Sequence, residues 1–216
     1  MSKVYAILSF QLIIASALLA WFTLHQPTKE HLQLNTTTYM LVSAVLMFTL
    51  LMVLTCIESA RRSFPINFIV LMALTVSYAV FAGVVSVRFD SDVVLYAFGT
   101  TAFSFIVLML LARFAPFDMT NCGCTLCVLA MLHLFAIILL NLILVPSGHG
   151  NTAALIGAGL GAFLVSLYLV YDLQLIMGGR SNELSPEEYI LAAAILYCDI
   201  INLFTYMLIL FGGSRN

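Results

Sequence analysis

Two aspartates sit where a carboxylate is costly. Asp172 and Asp199 are the only charged residues inside the long apolar runs of the sequence, apart from Glu188 at the edge of one. A charge at the centre of a bilayer costs roughly 2.5 to 3.5 kcal/mol on insertion scales, so each asks for a partner or a function. Brought together in a low-dielectric site, the two carboxylates could not both stay ionised; they would share a proton and so respond to pH. Deprotonated, and joined by Asn or carbonyl oxygens, they would suit a hard cation such as calcium as metal ligands. The structural alternative is that each aspartate pairs with Asn, Tyr or Arg and simply holds helices together.

Their neighbours extend the same chemistry. Asn202 and Tyr206 follow Asp199 at helical spacings and continue its polar stripe, while Tyr168 precedes Asp172 by one turn on the same face. Arg61 stands with Arg62 and Glu58 at the end of the second apolar run. From there an arginine could reach inward to a carboxylate, which makes Arg61 the candidate latch; Arg62 and Glu58 read as a solvated loop. Cys124 and Cys127 form a Cys-x-x-Cys, but no second ligand pair lies nearby, and the five cysteines read as free thiols packed as small hydrophobes. His133 and Asn141, eight apart on the fifth span, could line an interior path but are read first as hydrogen-bonding residues between helices. No nucleophile elbow, zinc-protease helix or phosphate-binding glycine loop occurs, so neither an enzyme nor a bound cofactor is expected.

The elements that must position these residues follow from composition. Of the 216 residues, 63% are hydrophobic and 8% charged, which excludes an ordinary water-facing surface. A spanning helix needs about 20 mostly apolar residues. Seven such runs occur, approximately Val4 to Leu24, Thr38 to Ile57, Ile66 to Val87, Val93 to Ala112, Cys122 to Val145, Thr152 to Met177 and Glu188 to Phe211. The first mimics a secretory signal but runs on through Trp21, and is read as a span. With short connections, the longest from His25 to Thr37, the expectation is an all-α polytopic membrane protein: a single seven-helix domain over residues 1–216 with the lipid bilayer as its surroundings. A net charge of −2 without a basic run excludes nucleic acid as a partner.

Lysine and arginine in the loops favour a cytosolic N-terminus, with Lys3, Arg61, Arg62, Arg113 and Arg180 on that side against Lys29, Arg88 and Arg215 on the other. Ser185-Pro186-Glu187-Glu188 reads as a helix start, with Ser185 as N-cap and Glu188 closing a capping box. Gly178-Gly179 reads as the preceding helix end. The last two spans are thus an antiparallel hairpin. Asp172 lies roughly 9 Å before the helix end at Gly178 and Asp199 roughly 20 Å beyond Pro186, so a meeting of the two requires the last helix to project past its neighbour. Gly157 and Gly161, four apart, offer a face for close helix approach.

Three stretches carry a family pattern: Tyr171-Asp172-Leu173-Gln174-Leu175-Ile176-Met177-Gly178-Gly179, Leu184-Ser185-Pro186-Glu187-Glu188-Tyr189, and Leu196-Tyr197-Cys198-Asp199-Ile200-Ile201-Asn202-Leu203-Phe204. They resemble the transmembrane Bax-inhibitor-motif family, in its Lifeguard and Golgi anti-apoptotic branch. Lys3 to Leu8 and Arg61 to Asn67 resemble that branch as well. The resemblance implies a seven-helix fold in endoplasmic reticulum or Golgi membranes, a pH-sensitive calcium leak, and suppression of apoptosis. It assigns the pH-sensing gate to Asp172 and Asp199 and an arginine partner to the second helix, where Arg61 is the nearest match. Many Lifeguard proteins carry a Pro-, Gly- and Tyr-rich tail before the first helix; this sequence has three residues there, and partner binding through such a tail is not expected of it. A non-conducting protein that inhibits cell death by binding other apoptosis-regulating membrane proteins is the alternative. A seven-helix receptor is disfavoured by the short loops and the missing Asp-Arg-Tyr and Asn-Pro-x-x-Tyr signals.

Overall fold

The computed structural model describes residues 2–213; Arg215, counted above among the loop charges, lies outside them. Among the described residues the chain is all-α. Seven helices are long and apolar enough to cross a bilayer: Ser2–Leu24 (α1), Thr36–Cys56 (α3), Ile66–Ser86 (α5), Ser91–Phe114 (α6), Gly123–Leu144 (α7, extended by a 3₁₀ turn at Met119–Cys122), Gly150–Met177 (α8) and Tyr189–Gly213 (α9). Each span read from the sequence returns within three residues of its expected ends. That agreement has a simple cause: in hydrocarbon every backbone polar group must be bonded within its own segment, so a run of this length has one conformation open to it.

Two short helices were not expected. Gln26–Leu34 (α2) occupies most of the connection read as a loop, and Glu58–Arg62 (α4) follows α3 directly. Pro27 fits the first turn of α2, where its missing N–H would go unbonded anyway. Leu32 then turns inward and is buried with Val84 and Val87, flanked by Phe22, Tyr39, Met40 and Val80. One buried leucine on an otherwise polar nine-residue segment is too weak a period to read from sequence.

The chain forms two compact units, one of Met1–Ser91 with Leu184–Ile201 and one of Asp92–Glu183 with Asn202–Asn216. In the first, α5 packs against both α1 and α3, and α4 packs on α5. In the second, α7 packs along α8. Gly178 and Gly179 end α8 with φ of 69° and 73°, the left-handed conformation expected of them. At the start of α9, Ser185 caps as expected, accepting from the Glu187 N–H. The capping box is not completed in the manner expected: the Glu188 carboxylate turns to Arg61 and Arg62 instead. A guanidinium within reach is a stronger partner for a carboxylate than a lone backbone N–H.

Candidate functional site

Each polar side chain singled out above can be followed on its own helix. Asp172 sits five residues before the end of α8 and is 7% exposed. Gln174, two residues on, is 1% exposed and holds that end of the helix in place. Its Nε2 donates to the carbonyls of Ala112 and Phe117 at 3.3 and 3.2 Å, and its Oε1 accepts from the Met119 N–H at 2.7 Å. The helix that carries Asp172 is therefore fastened to the end of α6 and to the turn before α7. Sequence reasoning missed Gln174, although an amide inside an apolar run beside an aspartate was a signal available to it.

The same end of this unit carries a polar knot. Asp118 accepts from the Thr120 N–H and hydroxyl at 2.9 and 2.6 Å and from the Ser181 N–H at 2.9 Å. Asn182 donates to the Thr120 carbonyl at 2.9 Å, and Arg180 donates to the Ala115 carbonyl at 2.8 Å. The hydrogen bond from the Thr120 hydroxyl, followed by those from Ser181, holds the Asp118 carboxyl below the usual carboxylate range. These contacts join the loop before α7 to the loop after α8.

Deeper in that unit, Tyr206 occupies the space left by the missing side chain of Gly161: a Cβ there would overlap its ring. The close approach expected at this glycine is real, but an aromatic ring fills it. Gly157 lies near Ile137 of α7. His133 meets the other side of Tyr206 in an edge-to-face arrangement, ring centroids 6.2 Å apart. Tyr168 is half-buried on α8 and Asn202 half-buried on α9. The second unit thus brings Tyr206 to His133 and Gly161, a grouping absent from the expectations for Tyr206.

Asp199 lies in the half of α9 that belongs to the first unit, where it is half-buried. Two residues earlier, Tyr197 is fully buried and its hydroxyl donates to the Thr75 carbonyl at 2.8 Å. Gln11, also fully buried, donates to the Thr75 hydroxyl at 2.8 Å, and Tyr78 meets Tyr197 edge to face at 6.0 Å. This chain of neutral polar groups ties α1, α5 and α9 together in mid-span. Gln11 interrupts an apolar run as plainly as the aspartates do, and it was overlooked because it bears no charge.

Arg61 is placed at the end of the same unit. One guanidinium nitrogen is 2.9 Å from Glu188 Oε1, and another donates to the Thr55 carbonyl at 2.8 Å. Glu188 precedes Asp199 by eleven residues, about 16 Å along the helix. The arginine is thus held by a glutamate at the helix start, its one ion pair among the described residues. Among the described residues no three His, Cys, Asp or Glu side chains gather as a metal site, and the five cysteines are free thiols.

A family model described as "Inhibitor of apoptosis-promoting Bax1" matches residues 1–216. The chain is 35% identical over 214 residues to Protein lifeguard 3 of Homo sapiens, covering 99% of this chain and 68% of that protein. It is 33% identical to Protein lifeguard 3 of Mus musculus, covering 98% and 68%. To Protein lifeguard 4 of Mus musculus it is 31% identical, covering 95% of this chain and 81% of the relative.

Proposed function

The chain belongs to the Bax-inhibitor family, and from that premise we propose that it restrains apoptosis as a pH-sensitive calcium leak of intracellular membranes. In this reading it sits in the endoplasmic reticulum or Golgi membrane with its N-terminus cytosolic, and lowers the calcium stored there. Asp172 and Asp199 are the pH-sensing residues, calcium is the permeant ion, and Tyr168, Asn202 and Tyr206 supply supporting polar groups. Arg61 is the latch residue whose partner changes with the state of the path.

The observation that carries the reading is Asp172, a carboxylate 7% exposed in an apolar helix whose end is fastened by Gln174. A helix held in place for its own sake needs no acid there, and the cost of an intramembrane carboxylate favours a working role. In this reading the pairing of Arg61 with Glu188 is the resting arrangement, in which the arginine is held at the start of the helix that carries Asp199.

Calcium flux from liposomes holding the purified protein, measured against pH, tests this. Wild type should show a pH-dependent flux, and Asp172→Asn or Asp199→Asn should flatten that dependence. Because the double variant should do no more than either single one if the carboxylates act together, the cycle also reads their coupling. Absence of flux from the pure protein at every pH would favour instead a non-conducting protein that acts by binding other membrane proteins of cell-death control. An unaltered pH response in both variants would remove the aspartates from the gate.

A further inference from the structure

At the end of the first unit where α1 and α9 begin, a cleft of about 380 Å³ is lined by Lys3, Arg61, Arg62, Asn67, Glu187 and Tyr189. Three of those six side chains are cationic and one is anionic. Glu188 offers a single oxygen, Oε1, to both Arg61 and Arg62, at 2.9 and 3.4 Å, and Arg62 also meets the exposed Glu58. These pairs leave donors over. Lys3 has no carboxylate at ion-pair distance among the described residues; its ammonium lies 5.6 Å above the Tyr189 ring. The Arg61 Nε–H is buried and has no acceptor among the described residues. A buried donor on a charged group left unbonded is costly, and the oxygen of an anion is the acceptor that would answer it.

The surroundings identify the kind of anion. Between Arg62 and Asn67 the chain presents Phe64, 83% exposed, and Ile66, 53% exposed. Cationic lining residues and exposed apolar side chains thus alternate along one short segment, at the ends of membrane-crossing helices, where headgroups lie. A basic pocket so placed suits a phosphate headgroup whose acyl chains run down the apolar side.

We propose that this cleft, built from Lys3, Arg61, Arg62 and Asn67, binds the phosphate-bearing headgroup of an anionic phospholipid. Phosphate oxygens take the Arg61 Nε–H and the Lys3 ammonium, and Arg62 turns from Glu58 toward the same group. The acyl chains lie along Phe64 and Ile66. The site shares Arg61 with the proposed latch but includes neither intramembrane aspartate, and Lys3 and Arg62 belong to it alone.

Native mass spectrometry of the full chain, released from micelles holding phosphatidylinositol 4-phosphate or phosphatidylcholine, tests the assignment. One phosphoinositide should remain on each chain under conditions that strip phosphatidylcholine. Lys3→Gln should weaken retention about five-fold, the effect of removing one cation near a charged headgroup, and Lys3→Arg should restore it. Lys3 lies at the exposed start of α1, so Lys3→Gln should melt with the wild type, and Arg62→Gln gives a second, independent loss. Equal retention of the two lipids, or wild-type retention in both Gln variants, would overturn the proposal. Displacement of the lipid by inorganic phosphate in molar excess would overturn it too, because the occupant would then be a soluble anion.

Discussion

One polar cluster in each unit lies at a different depth. In the first, Gln11, Thr75 and Tyr197 bond one another about ten residues, roughly 15 Å, into their helices, within the apolar layer. The second joins Asp118, Thr120, Ser181 and Asn182 in loops at the helix ends, and seats Tyr206 against Gly161 by shape in mid-span. A buried neutral bond inside the bilayer has no water to compete with it, whereas a loop network must hold against solvent. The first unit should accordingly resist loosening in its middle, and the second at its rim.

The strongest way to break this contrast is to fill the glycine. Gly161→Val should destabilise the protein by about 1 to 3 kcal/mol through overpacking against the Tyr206 ring, read from unfolding in detergent. Tyr206→Ala in the same background should recover much of that loss, and if it did not, the contact would not be the cause. Tyr197→Phe should cost about 0.5 to 1.5 kcal/mol, since it removes the hydroxyl bonded to the Thr75 carbonyl while leaving the ring against Tyr78.

The smallest change is expected at the rim. Asp118→Asn should speed amide hydrogen exchange at Thr120 and Ser181 with little movement of the global melt. The pH dependence has a definite sign. Because the folded-state pKa of Asp118 is depressed below its unfolded value, the contribution of its carboxylate is present above the ordinary aspartate range, near 3.9, and disappears as pH falls through the lower folded value. Wild type and the Asn variant should therefore exchange alike in strong acid and diverge as the pH rises to neutrality. Divergence in the opposite direction would sink the assignment.

What could be read from sequence was whatever the bilayer makes obligatory. Seven apolar runs leave little choice, and the cost of charge in lipid singles out Asp172 and Asp199 in the sequence itself. Groups without charge escaped that filter. Gln11, Gln174, Thr75 and Tyr197 are all nearly or fully buried and hydrogen-bonded between elements. Nor does any local pattern announce Asp118, whose partner Ser181 is 63 residues away. Glu188 illustrates a choice that sequence presents without deciding: its position suits a capping box, and only the fold reveals that Arg61 and Arg62 stand closer at hand. The short helix α2 was hidden because its nine residues contribute one buried leucine to a core assembled by other helices.

That short helix also settles how α5 may finish. The Gln33 side-chain amide donates to the carbonyl of Val87, the residue that caps α5, at 2.6 Å. A helix end ordinarily looks to water for its last acceptors. Here an amide from the preceding connection takes one of them, so α5 can stop short of the aqueous boundary without leaving that oxygen bare in the lipid.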